Sequence, residues 1–168
     1  MIIIICGLPG VGKSTLAKNL APMINATILS SDKIRKELFL NPTYSPFERK
    51  LVYDVMIIVA KYLNETGNNC ILDATFNRDD SRLEIKNKLQ LRDKEFQIVE
   101  CFCHEEVVIS RLESRKDDYS DATIEVYQRM KNIYEPVTIE HISVDTAISP
   151  LENSQRIVEE IKRKTQIL

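Results

Sequence analysis

Residues 2–14 read IIIICGLPGVGKS, and this stretch decides the fold. Its first five residues are apolar and mostly β-branched, which is typical of a central strand of a parallel sheet buried on both faces. The residues that follow match the pattern GxxxxGK(S/T), and a helical pattern begins within the loop, near Lys13. A strand, a glycine-rich loop and a helix in this order are the context of a phosphate-binding P-loop.

The residue types of this loop suit phosphate binding. Its glycines let the backbone turn with N–H groups pointing inward, and the helix N-terminus adds partial positive charge. Lys13 is expected to reach the β- and γ-phosphates, and the Ser14 hydroxyl to ligate Mg²⁺. A turn that binds nothing is the alternative, and the match at all four fixed positions disfavours it. We predict a site for ATP and Mg²⁺ with nucleotide-binding residues Gly7, Pro9, Gly10, Val11, Gly12, Lys13, Ser14 and Thr15.

Strand-like and helix-like runs alternate along the rest of the 168 residues, without a repeat or a flexible linker. This alternation is typical of βαβ units. We predict strands at about 2–6, 26–29, 70–73, 96–102 and 142–145. With helices between them, they form one three-layer α/β domain, residues 1–168, with a five-stranded parallel sheet. The P-loop context resembles that of nucleotide kinases, and this resemblance implies the strand order 2-3-1-4-5. Ligands of such sheets bind beyond the C-terminal ends of the strands.

The composition limits the partners and the compartment. The net charge is only −2, so long duplex nucleic acid, which favours basic surfaces, is not the expected partner. The four cysteines lack zinc-site spacing, and three lie in apolar runs, which predicts buried thiols. The apolar start has no basic segment before it, and no run is long enough to span a membrane. We expect a cytoplasmic protein, monomeric or dimeric.

A carboxylate and a guanidinium follow the second predicted strand. Asp32 and Arg35 are three residues apart, which places them on one face of a helical turn. A hydroxyl acceptor needs a base or an orienting carboxylate, and a guanidinium can hold an anionic group bidentately. The alternative is a helix-capping aspartate beside a solvated arginine. Next to a P-loop we favour catalytic and substrate-binding roles for both.

Polar side chains also follow the third predicted strand. Asp73 ends that strand, and Thr75 and Arg78 lie in the loop after it. Asp73 is a candidate to hold Mg²⁺ or to bind acceptor hydroxyls, and the loop is a candidate for acceptor binding. Local turn capping by aspartate and asparagine is the alternative.

A pair of arginines precedes a polar loop further along the chain. Arg111 and Arg115 are four residues apart on a predicted helix, and we predict a lid at about 111–123. Lid arginines stabilise the charge of a transferring phosphoryl group, and a lid excludes water. The alternative is a solvated helix face, where such charges usually lie.

These motifs together resemble a known family. The segments are GLPGVGKST at 7–15, SDKIR at 31–35 and LDATF at 72–76, with the arginine pair as the fourth element. The chain is similar in these positions to small P-loop kinases of the polynucleotide 5′-hydroxyl kinase and zeta toxin group. We expect no phosphatase domain, and the chain is slightly acidic, unlike the nucleic-acid kinases of the group.

The resemblance implies a role for each matching residue. Asp32 would activate the acceptor hydroxyl, Arg35 would contact an acceptor phosphate, and Arg111 and Arg115 would contact the ATP phosphates. Asp73 would lie in the acceptor region, and the loop at 145–150 would flank adenine. The implied activity is transfer of the γ-phosphoryl group from ATP to a hydroxyl of a small molecule or of a 5′-hydroxyl nucleic-acid end.

Other nucleotide-binding classes fit less well. A GTPase would need DxxG and NKxD motifs, and the segments DATF at 73–76 and NKLQ at 87–90 match neither. An adenylate-kinase-like enzyme would show a segment of the DGFPR type. The remaining alternative is a P-loop ATPase acting as a nucleotide-dependent binding or regulatory module, which fast ATP hydrolysis without an acceptor would indicate.

Overall fold

A computed structural model describes residues 1–114 and 120–166, and these form a sheet of five strands with helices on both faces. The strands are β1 (Ile2–Cys6), β2 (Ala26–Ser30), β3 (Asn69–Asp73), β4 (Phe96–Phe102) and β5 (Ile142–Asp145). The helices are α1 (Lys13–Met23), α2 (Ser31–Leu38), α3 (Pro46–Glu65), α4 (Asp79–Lys88), α5 (Glu105–Ser114), α6 (Ile124–Lys131) and α7 (Pro150–Gln166). Among the described residues, no helix combines the length and the apolar character needed to cross a membrane.

The sheet is parallel and has the order β2-β3-β1-β4-β5, which confirms the predicted fold class and strand order. Its register aligns the C-terminal ends of three strands, because Asp73 pairs with Ile5 on one side and with Ser30 on the other. The P-loop follows β1 directly, and α2 follows β2 directly. The register therefore brings the P-loop, Asp32 and Asp73 to one edge of the sheet.

The core has two layers, one on each face of β1. Ile3 and Ile5 pack in the layer formed with α1 and α7, whereas Ile2, Ile4 and Cys6 pack in the layer formed with α3 and α4. All five residues of β1 are fully buried. The burial on both faces, expected from the apolar run, is what a strand between two helical layers requires.

The sequence pattern predicts helices at about 13–20 and 123–134, and the C-terminal ends of both differ in the structure. α1 continues beyond Leu20 to Met23, since Ala21 is buried against the core and Pro22 lies only in the last turn. α6 stops at Lys131 rather than near Tyr134. The Tyr134 hydroxyl donates to Glu100 at 3.0 Å. Tertiary contacts of the residues beyond the last turn therefore override the local helical pattern.

A buried arginine fixes the connection between α6 and β5. Arg82 on α4 is fully buried and donates to the carbonyl oxygens of Glu135 at 2.8 Å and Pro136 at 3.3 Å. It also pairs with Asp79 at 3.0 Å, and its guanidinium lies 5.0 Å from the centre of the Tyr134 ring. These contacts tie a segment without regular structure to the helical layer beside the site.

We expect Arg82→Leu to lower the free energy of unfolding by roughly 3–5 kcal/mol, because it removes a fully buried cation that donates to Asp79 and to two backbone carbonyl oxygens. Urea denaturation measures this loss. Arg78→Leu is the matched control, since its side chain is 62% exposed and its ion pairs are as long as 3.8 and 3.9 Å. The control should change stability by less than about 0.5 kcal/mol. Equal effects of the two changes would contradict the role assigned to Arg82.

Candidate active site

The P-loop has the conformation that its sequence predicts. Gly12 precedes α1 with a φ of 96°, in the left-handed region that glycine adopts readily. At the start of the loop, the Gly7 N–H donates to the carbonyl oxygen of Thr75 at 3.3 Å, which links the loop to the end of β3. The Lys13 ammonium lies back over the loop and donates to the carbonyl oxygen of Leu8 at 2.8 Å. The loop thus holds its lysine and the N-terminus of α1 at the sheet edge.

Two oxygen-bearing side chains meet beside the P-loop. The Ser14 hydroxyl donates to Asp73 Oδ2 at 2.6 Å, and Asp73 is only 3% exposed. Within the described residues no cluster of three or more His, Cys, Asp or Glu side chains could hold a metal ion. Mg²⁺ commonly takes one or two protein oxygen ligands and completes its shell with water and phosphate. Ser14 and Asp73 therefore fit Mg²⁺ as a partner of bound phosphates.

One cleft of about 380 Å³ joins the P-loop to the residues after β2 and β3. Its volume lies in the range of ordinary ligand sites. The residues that line it include Pro9, Gly10, Gly12, Lys13, Ser14, Thr15, Asp32, Arg35, Tyr44, Arg49, Tyr53, Asp73, Thr75, Asn77, Asp121 and Arg129. Phosphate-binding residues and candidate acceptor-binding residues thus share a single cavity.

Asp32 lies on the acceptor side of the cleft. It is in the first turn of α2, where the helix dipole favours a negative charge. The residue is half-buried and lines the cavity together with Lys13 and Ser14. Among the residues that the structure describes, none hydrogen-bonds its carboxylate. The Asp32 carboxylate is therefore available to a molecule bound in the cleft.

Arg35 is a buried cation in the wall of the cleft. It is 5% exposed, and its nearest carboxylate, that of Glu48, lies 3.7 Å away, beyond hydrogen-bond distance. Its Nε and Nη1 atoms have no hydrogen-bond partner in the described part of the chain. The Tyr44 ring covers one face of the guanidinium, with 4.7 Å from Cζ to the ring centre. A buried guanidinium with free donors is suited to an anionic ligand.

Glu48 organises the loop beside Arg35. Its carboxylate accepts hydrogen bonds from the Thr43 N–H at 3.0 Å, the Thr43 hydroxyl at 2.7 Å and the Tyr44 N–H at 2.7 Å. These bonds hold Tyr44 at a φ of 57°, which is uncommon for a tyrosine. Burial opposes ionisation of Glu48, but the hydrogen bonds and Arg35 outweigh it and lower the pKa of the carboxyl group.

The lowered pKa of Glu48 gives a pH-dependent prediction. Its contribution to stability is present above the ordinary pKa of 4.5 and is lost as the pH falls through the lower folded-state value. Glu48→Gln should therefore lower the melting temperature at neutral pH, and the difference from wild type should shrink in acid. Glu65→Gln, at an exposed carboxylate of the same helix, serves as control and should show neither effect. A difference that grows in acid would contradict the assignment.

The loop after β3 contributes only part of its polar side chains to the cleft. Thr75 and Asn77 line the cavity. Arg78, predicted as an acceptor ligand, is not among the lining residues, and its guanidinium pairs with Asp80 at 3.8 Å and Glu135 at 3.9 Å. The structure therefore does not bring Arg78 to the other candidate residues.

Arg111 contacts the P-loop but is not among the residues that line the cleft. Its guanidinium donates to the carbonyl oxygen of Val11 at 3.2 Å and to the hydroxyl and carbonyl oxygens of Thr146 at 3.1 and 2.7 Å. It thus joins the P-loop to the turn after β5. Arg115, predicted as the second lid arginine, falls outside the described residues, as does the middle of the predicted lid. Only the ends of that segment, at 111–114 and 120–123, are described.

The cleft also includes residues outside the segments that the sequence singled out, among them Tyr53 on α3 and Arg129 on α6. Asp121, which also lines the cleft, lies near the end of the predicted lid. The amphipathic patterns of α3 and α6 predicted helices but not which side chains would meet the P-loop. Only the tertiary fold shows that the cationic side chain of Arg129 on α6 lines the cleft.

Comparisons with known proteins agree with this fold. An uncharacterised protein of Mycobacterium tuberculosis is 30% identical over 134 residues, 71% of this chain and 26% of that protein, so the chain spans about a quarter of that relative. The M. tuberculosis APS kinase, solved with AMPPNP and APS, superimposes with a TM-score of 0.73, 18% identity and coverage of 96% of both chains. A Sinorhizobium meliloti gluconokinase gives a TM-score of 0.68, 16% identity and coverage of 98% of this chain and 93% of that one.

One family model matches most of the sequence. The model described as an AAA domain, AAA_33, matches residues 2–137, which include the P-loop, Asp32, Arg35 and Asp73. Because this match covers most of the chain, the protein belongs to the AAA_33 family of AAA domains.

Proposed function

We propose that this protein is a kinase that transfers the γ-phosphoryl group of ATP to a hydroxyl group of an acceptor. The observation that carries the proposal is the single cleft shared by the P-loop and the Asp32–Arg35 pair. A carboxylate and a buried cation beside the phosphate site provide a place for an acceptor, which hydrolysis of ATP does not require. Structural neighbours that act as kinases, among them an APS kinase and a gluconokinase, support the same activity.

The P-loop forms the donor side of the proposed site. Its backbone N–H groups and the N-terminus of α1 hold the ATP phosphates, and Lys13 moves its ammonium from the Leu8 carbonyl to the β- and γ-phosphates. Ser14 and Asp73 hold Mg²⁺. When bound, Mg²⁺ neutralises charge on the phosphate oxygens and orients them.

The acceptor side supplies a base and an anchor. Asp32 orients the acceptor hydroxyl and takes its proton as the new bond forms between the acceptor oxygen and the γ-phosphorus. The bond between that phosphorus and the oxygen bridging to the β-phosphate breaks at the same time, and ADP leaves. Arg35 holds an anionic group of the acceptor with its guanidinium, which lines the cleft.

The arginines at the lid complete the proposed site. Arg111 lies between the P-loop and Thr146, a position that suits the nucleoside end of ATP as well as its phosphates. The segment at 145–150 flanks the adenine in this proposal. Arg115 contributes a second positive charge to the phosphoryl group, as predicted from its spacing. Membership of the polynucleotide kinase and zeta toxin group remains a hypothesis based on the motifs.

A nucleotide-dependent ATPase module is the second candidate, favoured by the AAA-domain description of the family. The two functions differ in how ATP turnover responds to an acceptor. A kinase hydrolyses ATP slowly when alone and rapidly transfers phosphate in the presence of one class of hydroxyl compound. An ATPase turns ATP over without any acceptor.

A screen with radiolabelled ATP distinguishes these outcomes. The acceptors are 5′-hydroxyl oligonucleotides, nucleosides, sugars, sugar acids and hydroxyl-bearing antibiotics, each tested with and without Mg²⁺. We expect label on one acceptor class, dependence on Mg²⁺, and loss of transfer in Lys13→Met. Fast hydrolysis that no acceptor stimulates would overturn the kinase proposal in favour of the ATPase.

A further inference from the structure

A contact made by three residues spans the cleft on its acceptor side. The Tyr44 hydroxyl donates to Asp121 Oδ2 at 2.5 Å, and the Lys36 ammonium donates to Asp121 Oδ1 at 2.8 Å. We call these three residues the clasp. Lys36 is on α2, Tyr44 lies before α3, and Asp121 lies before α6. The clasp therefore links the α2–α3 side of the cavity to its α6 side.

Tyr44 is fixed in this position by contacts other than the clasp. Glu48 accepts its backbone N–H at 2.7 Å, and its ring rests on the buried guanidinium of Arg35. Burial and the hydrogen bond to Asp121 raise the pKa of its hydroxyl, so the group remains a protonated donor. These contacts hold Tyr44 in the cavity wall. Its hydroxyl is bonded to Asp121, which lines the same cavity.

Other elements line the same cavity as the clasp residues Tyr44 and Asp121. They include the end of β3, with Asp73 and Thr75, and α6, with Val126 and Met130. The volume of about 380 Å³ includes the phosphate side as well as the acceptor side. Pockets of ordinary ligands have volumes of about 300–1,000 Å³, so the volume of this cavity is near the lower limit. The acceptor must share the cavity with the phosphates of ATP.

A polymer and a small molecule place different demands on this cavity. The 5′ end of a nucleic acid continues into further nucleotides, which need an open groove lined with positive charge. Here the cations that line the cavity share it with three carboxylates, those of Asp32, Asp73 and Asp121, and Asp121 is hydrogen-bonded to Tyr44 of the same cavity. A small molecule can instead lie entirely within the cavity.

We propose that the phosphoryl acceptor is a small hydroxyl compound enclosed beneath the clasp, and not the end of a nucleic acid. The inference rests on the proposed kinase function and narrows its acceptor. It also assigns Tyr44 and Asp121 as specificity-determining residues. They select acceptors by size, because any group extending past Arg35 meets the clasp.

Two label-transfer experiments test the size limit. In the first, a deproteinised bacterial extract is divided by ultrafiltration into low-mass and macromolecular fractions, and each receives wild-type protein and radiolabelled ATP. In the second, a nucleoside 3′-monophosphate is compared with oligonucleotides of increasing length that carry the same 5′-hydroxyl. We expect label in the low-mass fraction and no transfer to the longer oligonucleotides.

The possible results separate this inference from the kinase proposal. Label that appears on macromolecules or rises with oligonucleotide length would overturn the small-acceptor inference while supporting a kinase. Label in neither fraction, with no transfer to any nucleotide, would overturn the kinase proposal and the inference with it. Label confined to low-mass compounds supports both.

Variants of the clasp test the roles of its residues. Asp121→Ala should raise the KM for the low-mass acceptor by roughly twofold to fivefold, because the cavity wall loses the exposed bonds to Tyr44 and Lys36 that hold it in place, and should leave the KM for ATP unchanged. Glu125→Ala, which removes a nearby exposed carboxylate at the start of α6, should alter neither constant. Tyr44→Phe should reproduce part of the effect of Asp121→Ala. An unchanged acceptor KM in Asp121→Ala would remove Asp121 from the assignment.

Discussion

Replacing Asp32 with alanine is expected to lower the rate of phosphoryl transfer by roughly 10²–10⁴-fold while the affinity for ATP stays close to that of wild type. The expectation follows from the separation of roles within the cleft. Lys13 and Ser14 belong to the donor side, whereas Asp32 lies in the first turn of α2 on the acceptor side. Loss of the base therefore removes an interaction with the reacting hydroxyl and leaves the phosphate contacts in place.

Two measurements are needed to separate the effect of Asp32→Ala on ATP binding from its effect on the chemical step. Equilibrium titration with ATP gives the affinity, and single-turnover transfer to the acceptor found in the screen gives the chemical rate. Asp32→Asn is the more stringent form, since it keeps the shape of the side chain but cannot accept the proton at neutral pH. A large loss in both variants with unchanged ATP affinity is the expected pattern.

Glu37→Ala provides the matched control for Asp32. Glu37 is a carboxylate on the same helix, 64% exposed, and its partner is Lys33 at 3.9 Å. Its removal changes the charge of α2 by the same amount without touching the cleft. If the two variants lost activity equally, the effect would belong to the charge of the helix, and Asp32 would not be the base.

Much of the fold follows from local sequence patterns because the strongest patterns also determine the topology. The apolar run at 2–6 is buried on both faces, and this fixes β1 as a central strand between two helical layers. The strand order then follows from the P-loop context. Local patterns did not predict every helix end. α6 ends before Tyr134, whose hydroxyl donates to Glu100.

The site was predictable where its residues lie next to strand ends. The P-loop, Asp32, Arg35 and Asp73 share one cleft because parallel strands bring their C-terminal ends to the same edge. Asp121 lies in the predicted lid, but its contact with Tyr44 was not predictable, since the two residues are 77 positions apart and no local pattern pairs them. Arg78 is the opposite case. Its place in the loop after β3 predicted a position in the cleft, but in the structure its guanidinium pairs with the carboxylates of Asp80 and Glu135.

The second large effect is expected for Gly7→Ala, at the junction of β1 and the P-loop. Gly7 has a φ of 137°, and a Cβ added there would lie 2.3 Å from the carbonyl oxygen of Cys101 on β4. That oxygen belongs to the backbone of a central strand, so it cannot rotate away as a side chain can. Either the P-loop or β4 must shift.

We expect Gly7→Ala to lower the free energy of unfolding by roughly 2–5 kcal/mol, the sum of a backbone strain and an overpacking cost. The affinity for ATP should fall as well, since the same shift moves the N–H groups of the loop away from the phosphates. Urea denaturation measures the first effect, and calorimetric titration with ATP measures the second in the fraction that remains folded.

Gly67→Ala separates the strain from the clash. Gly67 also has a positive φ, 76°, but an added Cβ would meet nothing within 4 Å. The control should therefore lose only about 1–2 kcal/mol and keep the affinity for ATP. If Gly7→Ala matched Gly67→Ala in both measurements, β4 would have yielded to the new methyl group, and the close approach of the loop to Cys101 would not be what positions the phosphate site.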